Sequence, residues 1–312
     1  LKGLVFMKKA NTISKFNQIS SFTNAVYHFI FIIVTICCLY PVLLVIGISF
    51  TEEDSLKTFG YSVIPKVISF ESYAYVLRNS ATILNAYKVT IFVTIVGTIL
   101  SVAGTALYAY AISRKEFRYR KFFTFFKFFT MLFSGGLVPW YLVCTRLLRI
   151  NDTIWALILP PLISAWNVII MKTFFATTVP DSIVESARID GASEFTTFIR
   201  IVCPISLPGL ATIGLFVTLS YWNDYWTPLM LTSKPNLANI QLYLYNILKN
   251  IQMLQDTTNV ISQQASGEAI KRLPQEGARM AICVLAIGPI IFAYPFFQKY
   301  FIQGLTIGAV KG

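Results

Sequence analysis

Residues 89–113 read VTIFVTIVGTILSVAGTALYAYAIS, 25 residues without one Asp, Glu, Lys or Arg. Coiled as an α-helix at about 1.5 Å per residue, the stretch is roughly 38 Å long. That crosses the hydrocarbon core of a bilayer, about 30 Å thick. It starts after Lys88 and ends at Arg114-Lys115-Glu116-Phe117-Arg118-Tyr119-Arg120-Lys121, five bases and one acid. An apolar run of spanning length with a basic collar reads as a transmembrane helix whose basic end is cytoplasmic.

Five more charge-free stretches have spanning length. Lys15 to Glu52 encloses 36 residues, Lys127 to Arg146 18, Asp152 to Lys172 19, Arg200 to Asp224 23 and Arg279 to Lys299 19; the next longest encloses only 14. The expected fold class is all-α integral membrane, with six transmembrane helices near 26–50, 83–113, 122–146, 153–176, 207–231 and 278–301. Lys2, Lys8, Lys9 and Lys15 precede the first span with no acid, while Glu52, Glu53, Asp54 and Glu71 follow it, against Lys57, Lys66 and Arg78. Both termini are therefore expected inside. This gives a cytoplasmic segment 1–25, a membrane domain 26–303, an inside loop 177–206, external loops 51–82 and 232–276, and an inner tail 304–312. The first span is too long for a signal-peptide core. Met7 is a candidate start residue.

Composition agrees. In 312 residues, 55% are hydrophobic and 13% charged, with mean hydropathy +0.64. A typical soluble domain carries about 25% charge, and disordered chains are apolar-poor. The net charge of +12 is the orientation signal of a membrane protein rather than a nucleic-acid footprint. Cys37, Cys38, Cys144, Cys203 and Cys283 show no disulfide or zinc spacing and read as packing residues. Pro139, Pro160, Pro161, Pro289 and Pro295 fall within or near spans, where neighbouring helices must satisfy the freed carbonyls. Gly97 and Ser101 have small-xxx-small spacing. Lys88 and Lys127 read as snorkelling side chains.

Several chemistries lack their residues. There is no G-x-x-x-x-G-K-[ST] phosphate loop and no G-x-S-x-G. His28 is the only histidine, and Asp224 is the only carboxylate near a membrane core. The chain reads as a passage or a scaffold rather than an enzyme.

The inside loop is the most informative segment: Val179-Pro180-Asp181-Ser182-Ile183-Val184-Glu185-Ser186-Ala187-Arg188-Ile189-Asp190-Gly191-Ala192-Ser193-Glu194-Phe195, continuing to Pro208. Pro180 and Asp181 break the preceding helix. Ser182 with Glu185 reads as a capping box, and Gly191 can end the helix in a left-handed conformation. A second helix starts near Ser193, with Phe195, Phe198, Ile199 and Val202 on one face. Pro204 and Pro208 mark the turn into the fifth span. The result is a helix–Gly–helix elbow, suited to docking a partner or, equally on these residues, to a plain re-entry loop.

This pattern resembles the coupling motif of ABC importer permeases, E-A-A-x3-G-x9-I-x-L-P. Here it stands as Glu185-Ser186-Ala187, Gly191, Ile201 and Cys203-Pro204, with Ser186 and Cys203 departing from it. Asp190-Gly191-Ala192 matches the D-G-A of the sugar-importing branch. Tyr221-Trp222-Asn223-Asp224-Tyr225-Trp226 is similar to the W-N-[DE]-[FY] segment of carbohydrate permeases. Pro274, Arg279 and Met280 resemble the entry to their last span, and Gln298–Gly312 resembles their C-terminal tail. The likeness covers most of the chain and is nearest the oligosaccharide (LplC-like) group.

The resemblance implies a MetI-like, type I importer fold with a cytoplasmic coupling helix. It implies a homologous second permease, two copies of an ABC ATPase, a lipid-anchored extracellular solute-binding protein and an oligosaccharide substrate. ATP and Mg would be bound by the ATPase and no cofactor by this chain. Glu185, Ser186, Ala187, Asp190, Gly191, Ile201 and Pro204 would form the ATPase-coupling site, Glu185 pairing with an arginine of the ATPase. Tyr221, Trp222, Asn223, Asp224 and Trp226 are substrate-path candidates, since sugars offer C–H faces to aromatic rings and hydroxyls to Asn and Asp. The same cluster also suits an interfacial aromatic belt. A bacterial plasma membrane is implied, and 10 arginines against 16 lysines point to an AT-rich, Gram-positive host. The alternatives are an importer of another solute or a self-sufficient secondary transporter, although the internal repeats usual there are not evident.

Overall fold

A computed structural model describes residues 20–261, 276–291 and 295. The expectations for residues 1–19, Pro274 and the Gln298–Gly312 tail lie outside the described residues. Among the described residues the chain is helical, with one isolated antiparallel bridge between Thr51 and Ile68. It divides into two compact units, Leu1–Tyr73 with Leu273–Ala281, and Ala74–Arg272 with Ile282–Gly312.

The first unit holds α1, Ser21–Ser49, which buries only Gly47, Ile48 and Ser49. Its 29 residues extend about 44 Å, and Pro41 lies inside it. Length and composition suit a membrane crossing. The chain then turns through a short helix, Glu53–Phe59, ended by Gly60 at φ 75°. Glu53 is buried, and its carboxylate accepts the backbone N–H groups of Glu276 at 3.4 Å and Gly277 at 3.3 Å. A carboxylate on a helix's first turn is favoured by the exposed N–H groups and the helix dipole.

The second unit is organised on α2, Ser80–Ser113, the helix of the opening stretch. After it come α3, Arg120–Leu132, α4, Ala165–Thr178, α5, Asp181–Ile189, α6, Leu207–Trp222, and α7, Ile240–Ile261, with α8, Glu276–Ile291, belonging to this unit from Ile282 onward. Helices α4 and α6 both pack on α2. The contact with α6 is close because Gly97 carries no Cβ: one added there would stand 2.6 Å from the Tyr221 ring. The small-xxx-small spacing thus marks a genuine helix contact, with Ser101 also buried. Val93, Ala106, Tyr110, Leu157, Met171, Phe175, Ile213, Val217 and Tyr221 belong to one apolar cluster.

Three expected spans are not single helices. In the third, α3 stops at Leu132 and a second piece, Leu137–Leu147, leaves at 115°. Gly136, at φ 84°, lies in the Ser134-Gly135-Gly136 break. In the fourth, a short helix, Trp155–Ile158, precedes Pro160-Pro161, which supply no backbone N–H, before α4 begins. In the fifth, α6 ends at Trp222 and a short helix resumes over Trp226–Leu231. A count of charge-free residues cannot see such breaks, because Gly, Pro and Asn interrupt a helix without adding charge.

The breaks are satisfied from neighbouring elements. Lys127, expected to snorkel, instead donates to the Ile163 carbonyl at 3.2 Å, in the unwound fourth segment. Pro289 in α8 leaves the Leu285 carbonyl without its helical donor, and the Tyr87 hydroxyl donates to it at 2.8 Å. Trp222 Nε1 donates to the next carbonyl, Ala286, at 3.0 Å. The structure thus bears out, at this proline, the requirement that neighbours supply the missing donors.

Candidate coupling elbow and aromatic segment

The elbow follows α4, which ends at buried Val179. Helix α5 starts at Asp181 with Pro180 as its N-cap and no side-chain cap bond. The expected Ser182–Glu185 capping box is therefore not formed. The proline pre-sets the start one residue earlier, and the Ser182 carbonyl accepts from the Ser186 hydroxyl at 2.9 Å.

The far end of α5 behaves as expected. Gly191 takes φ 79°. Its N–H donates to the Arg188 carbonyl at 3.0 Å, and Ala192 N–H donates to the Ala187 carbonyl at 2.9 Å. That pair of bonds is a Schellman motif, which a left-handed glycine makes at little cost. Ser193 caps the next helix, its hydroxyl accepting Thr196 N–H at 3.2 Å. The expected apolar face divides, however: Phe198 and Val202 are buried while Phe195 and Ile199 are exposed. The backbone widens to a π-helix over Phe198–Val202, which shifts the register that an α-helical spacing assumes. The elbow then turns into α6 at 83°.

Two clamps hold the elbow to the end of α2. Lys115 Nζ meets Asp181 Oδ2 at 2.7 Å, with Arg114 at 4.0 Å from the same carboxylate. Arg188 meets Glu194 Oε1 at 2.5 Å across the glycine turn, and the Tyr110 hydroxyl donates to Glu194 Oε2 at 3.0 Å. The hydrogen bond from Lys115 holds the Asp181 carboxyl below the usual carboxylate range, and that from Arg188 does the same for Glu194. Val184, Phe198 and Val202 join the apolar cluster of α2, α4 and α6, so the elbow is an extension of the bundle core.

Of the expected coupling residues, Ser186, Ala187, Asp190 and Ile201 come together. With Ser182 and Ile183 they line a groove of about 340 Å³. Glu185, Gly191 and Pro204 are exposed beside it. Ala187 is buried, its small side chain letting α5 lie close to the second arm. Sequence reasoning missed Ile189, 86% exposed, which with Ile183 is one of two exposed apolar side chains on α5. Its signal was a lone isoleucine beside Asp190-Gly191.

The aromatic segment separates into two kinds of residue. Tyr221 is buried, donating to the Ile158 carbonyl at 2.8 Å, and Trp222 is buried on α8. Asp224 Oδ1 accepts the Thr227 N–H at 2.9 Å, starting the Trp226–Leu231 helix. Asn223 and Trp226 are exposed, as is Tyr225, which stacks on Tyr245 with centroids 5.2 Å apart. That stacked pair was not among the expected residues, because Tyr245 lies on α7, outside the motif. Among the described residues no three His, Cys, Asp or Glu groups converge as a metal site.

The described residues form a helical bundle with broken spans, carrying a clamped elbow between two of them. Residues 111–307 match the family described as "Binding-protein-dependent transport system inner membrane component", and the chain belongs to that family. It is 37% identical over 291 residues to the polygalacturonan/rhamnogalacturonan transport system permease protein YtcP of Bacillus subtilis (strain 168), covering 93% of this chain and 98% of that one. It is 36% identical over 274 residues to protein LplC of the same organism, covering 87% and 89%. Among solved structures, a bacterial ABC transporter involved in import of the acidic polysaccharide alginate has a chain that superposes with TM-score 0.73 at 28% identity, covering 89% of this chain and 96% of that one. The fold is that of the MetI-like ABC permeases.

Proposed function

We propose that this chain is one half of the translocation path of an ATP-driven, binding-protein-dependent importer of oligosaccharides, derived from plant or other acidic polysaccharides. The observation that carries the coupling role is the continuity of the bundle core into the elbow through Val184, Phe198 and Val202. A push on α5 displaces side chains packed directly on α2, α4 and α6. The permease names among the relatives support the substrate class.

In this reading the chain crosses the bacterial plasma membrane six times, with both termini and the elbow inside, in a Gram-positive host. The domain bounds are those of the span count, with helix breaks as described. A homologous second permease completes the path. Two copies of an ABC ATPase, which bind ATP and Mg, seat on the elbows, and an extracellular lipid-anchored binding protein delivers the sugar. This chain catalyses no step itself. Glu185, Ser186, Ala187, Asp190, Gly191, Ile201 and Pro204 form the ATPase seat, with Ile189 as an apolar anchor. Asn223, Tyr225 and Trp226 offer hydrogen bonds and ring faces to sugar, while Tyr221, Trp222 and Asp224 hold those residues in place.

The test is purification of the complex from its host in mild detergent, followed by reconstitution. A second permease, an ATPase and a binding protein are expected by mass spectrometry, and sugar-loaded binding protein should stimulate ATP hydrolysis. Gly191→Trp should abolish that stimulation while leaving the chain inserted. Undiminished stimulation in the variant would remove the elbow from the coupling route, and recovery of the chain alone would remove the assembly.

A further inference from the structure

The loop after α2 and the facing ends of α3 and α4 enclose a groove of about 930 Å³. Lys115, Arg118, Arg120, Lys121 and Lys172 line it, and no acidic residue does. Lys115 is paired with Asp181, but among the described residues no carboxylate lies within 4.0 Å of Arg118, Arg120, Lys121 or Lys172. Lys172 comes from α4, fifty-odd residues along the chain, and its Nζ sits 3.3 Å from Thr124 Oγ1 on α3. A basic collar that served orientation alone would need no such convergence.

The groove has a second character. Phe125, Phe128 and Ile169 also line it. Along α3 the lining passes from Arg120 and Lys121 through Thr124 and Phe125 to Phe128, a climb of about 12 Å from charge to hydrocarbon. No residue of α3 is buried, so these rings are open to an apolar partner. A small phosphoanion would satisfy the cations and leave the rings bare; an apolar partner helix would do the reverse. An amphiphile with an anionic head and an acyl chain satisfies both. Basic pockets between membrane helices on the cytoplasmic side suit anionic lipid head groups.

We propose that this groove is a binding site for an anionic phospholipid of the inner leaflet. Its phosphodiester accepts hydrogen bonds from Arg120, Lys121 and Lys172, and one acyl chain lies along Phe125 and Phe128. The site is independent of which solute the protein carries. Because it lies beside Lys115, whose partner Asp181 begins the elbow, the bound lipid would brace the same loop that clamps α5.

The complex, stripped of lipid in mild detergent, would be titrated with phosphatidylglycerol, phosphatidylcholine or inorganic phosphate and followed by native mass spectrometry. Saturable binding of phosphatidylglycerol is expected, with phosphatidylcholine far weaker and inorganic phosphate unable to displace the lipid. Each basic residue near an anionic surface contributes roughly fivefold, so the double variant Arg120→Gln/Lys172→Gln should bind about thirtyfold more weakly at this site. Thr173→Trp fills the groove without altering charge and should also lose the lipid, which keeps the test valid if the double variant fails to insert. Equal binding of phosphatidylcholine, displacement by phosphate, or undiminished lipid binding by Thr173→Trp would each overturn the proposal.

Discussion

Two glycines illustrate how a single residue is constrained in different ways. At Gly191 an added Cβ would meet nothing within 4 Å, but the backbone is at φ 79°. An L-residue there costs about 1–2 kcal/mol from conformation alone. At Gly97 no left-handed backbone is involved, but a Cβ would stand 2.6 Å from the Tyr221 ring, and forcing such a contact costs about 1–3 kcal/mol. Gly97→Ala should therefore lower the thermal unfolding temperature of the purified complex and leave the ratio of sugar moved to ATP hydrolysed unchanged. Gly191→Ala should lower that ratio with a smaller thermal effect. The reverse pattern would exchange the two assignments. The conformational demand at Gly191 was legible, since glycine after a short capped helix has few other uses. The role of Tyr221 was not, because an aromatic next to Trp, Asn and Asp looks like a binding residue until the facing Gly97 is known.

At the scale of elements, the elbow is held by carboxylates whose partners come from other segments. Arg188 and Glu194 are six apart, not a spacing that faces along one helix, and only the Schellman turn brings them together. Asp181 and Lys115 are 66 apart in sequence. Both carboxyl groups titrate below their ordinary values of 3.8 and 4.5. A carboxylate with a depressed folded-state value contributes stability that is present above the unfolded value and lost as pH falls through the folded one. Amide exchange in α5 should thus be insensitive to the clamps from about pH 8 to pH 5, after correction for intrinsic rates, and rise below about pH 4. Loosening between pH 8 and 6 would point to another group. Because the pairs are exposed, each is worth little in stability; their use is in fixing the elbow's angle.

For the whole molecule, the span count and basic collars predict an orientation that labelling can check. In a background with Cys37, Cys38, Cys144, Cys203 and Cys283 replaced, Ser182→Cys should react with a membrane-impermeant maleimide only from the cytoplasmic side. Ser233→Cys should react in intact cells. Labelling of both from one side would break the six-span topology, and the exchanged result would invert it.

The sequence by itself determined that the chain lives in lipid, where its apolar runs begin and end, and that an elbow with a glycine hinge lies between two of them. These follow from charge spacing and backbone chemistry, which act over one to six helical turns. Only the tertiary structure decided where spans break, that Tyr87 and Trp222 serve carbonyls beside Pro289, and that Lys127 serves an unwound neighbour. It alone divided the aromatic segment into buried anchors and exposed rings, and gathered Lys172 with the basic loop. Each of those depends on which helix faces which. In a bilayer that is settled by close packing and by the need to pair every buried polar group; the Gly97–Ser101 spacing marks one such contact in the chain but not the helix that faces it.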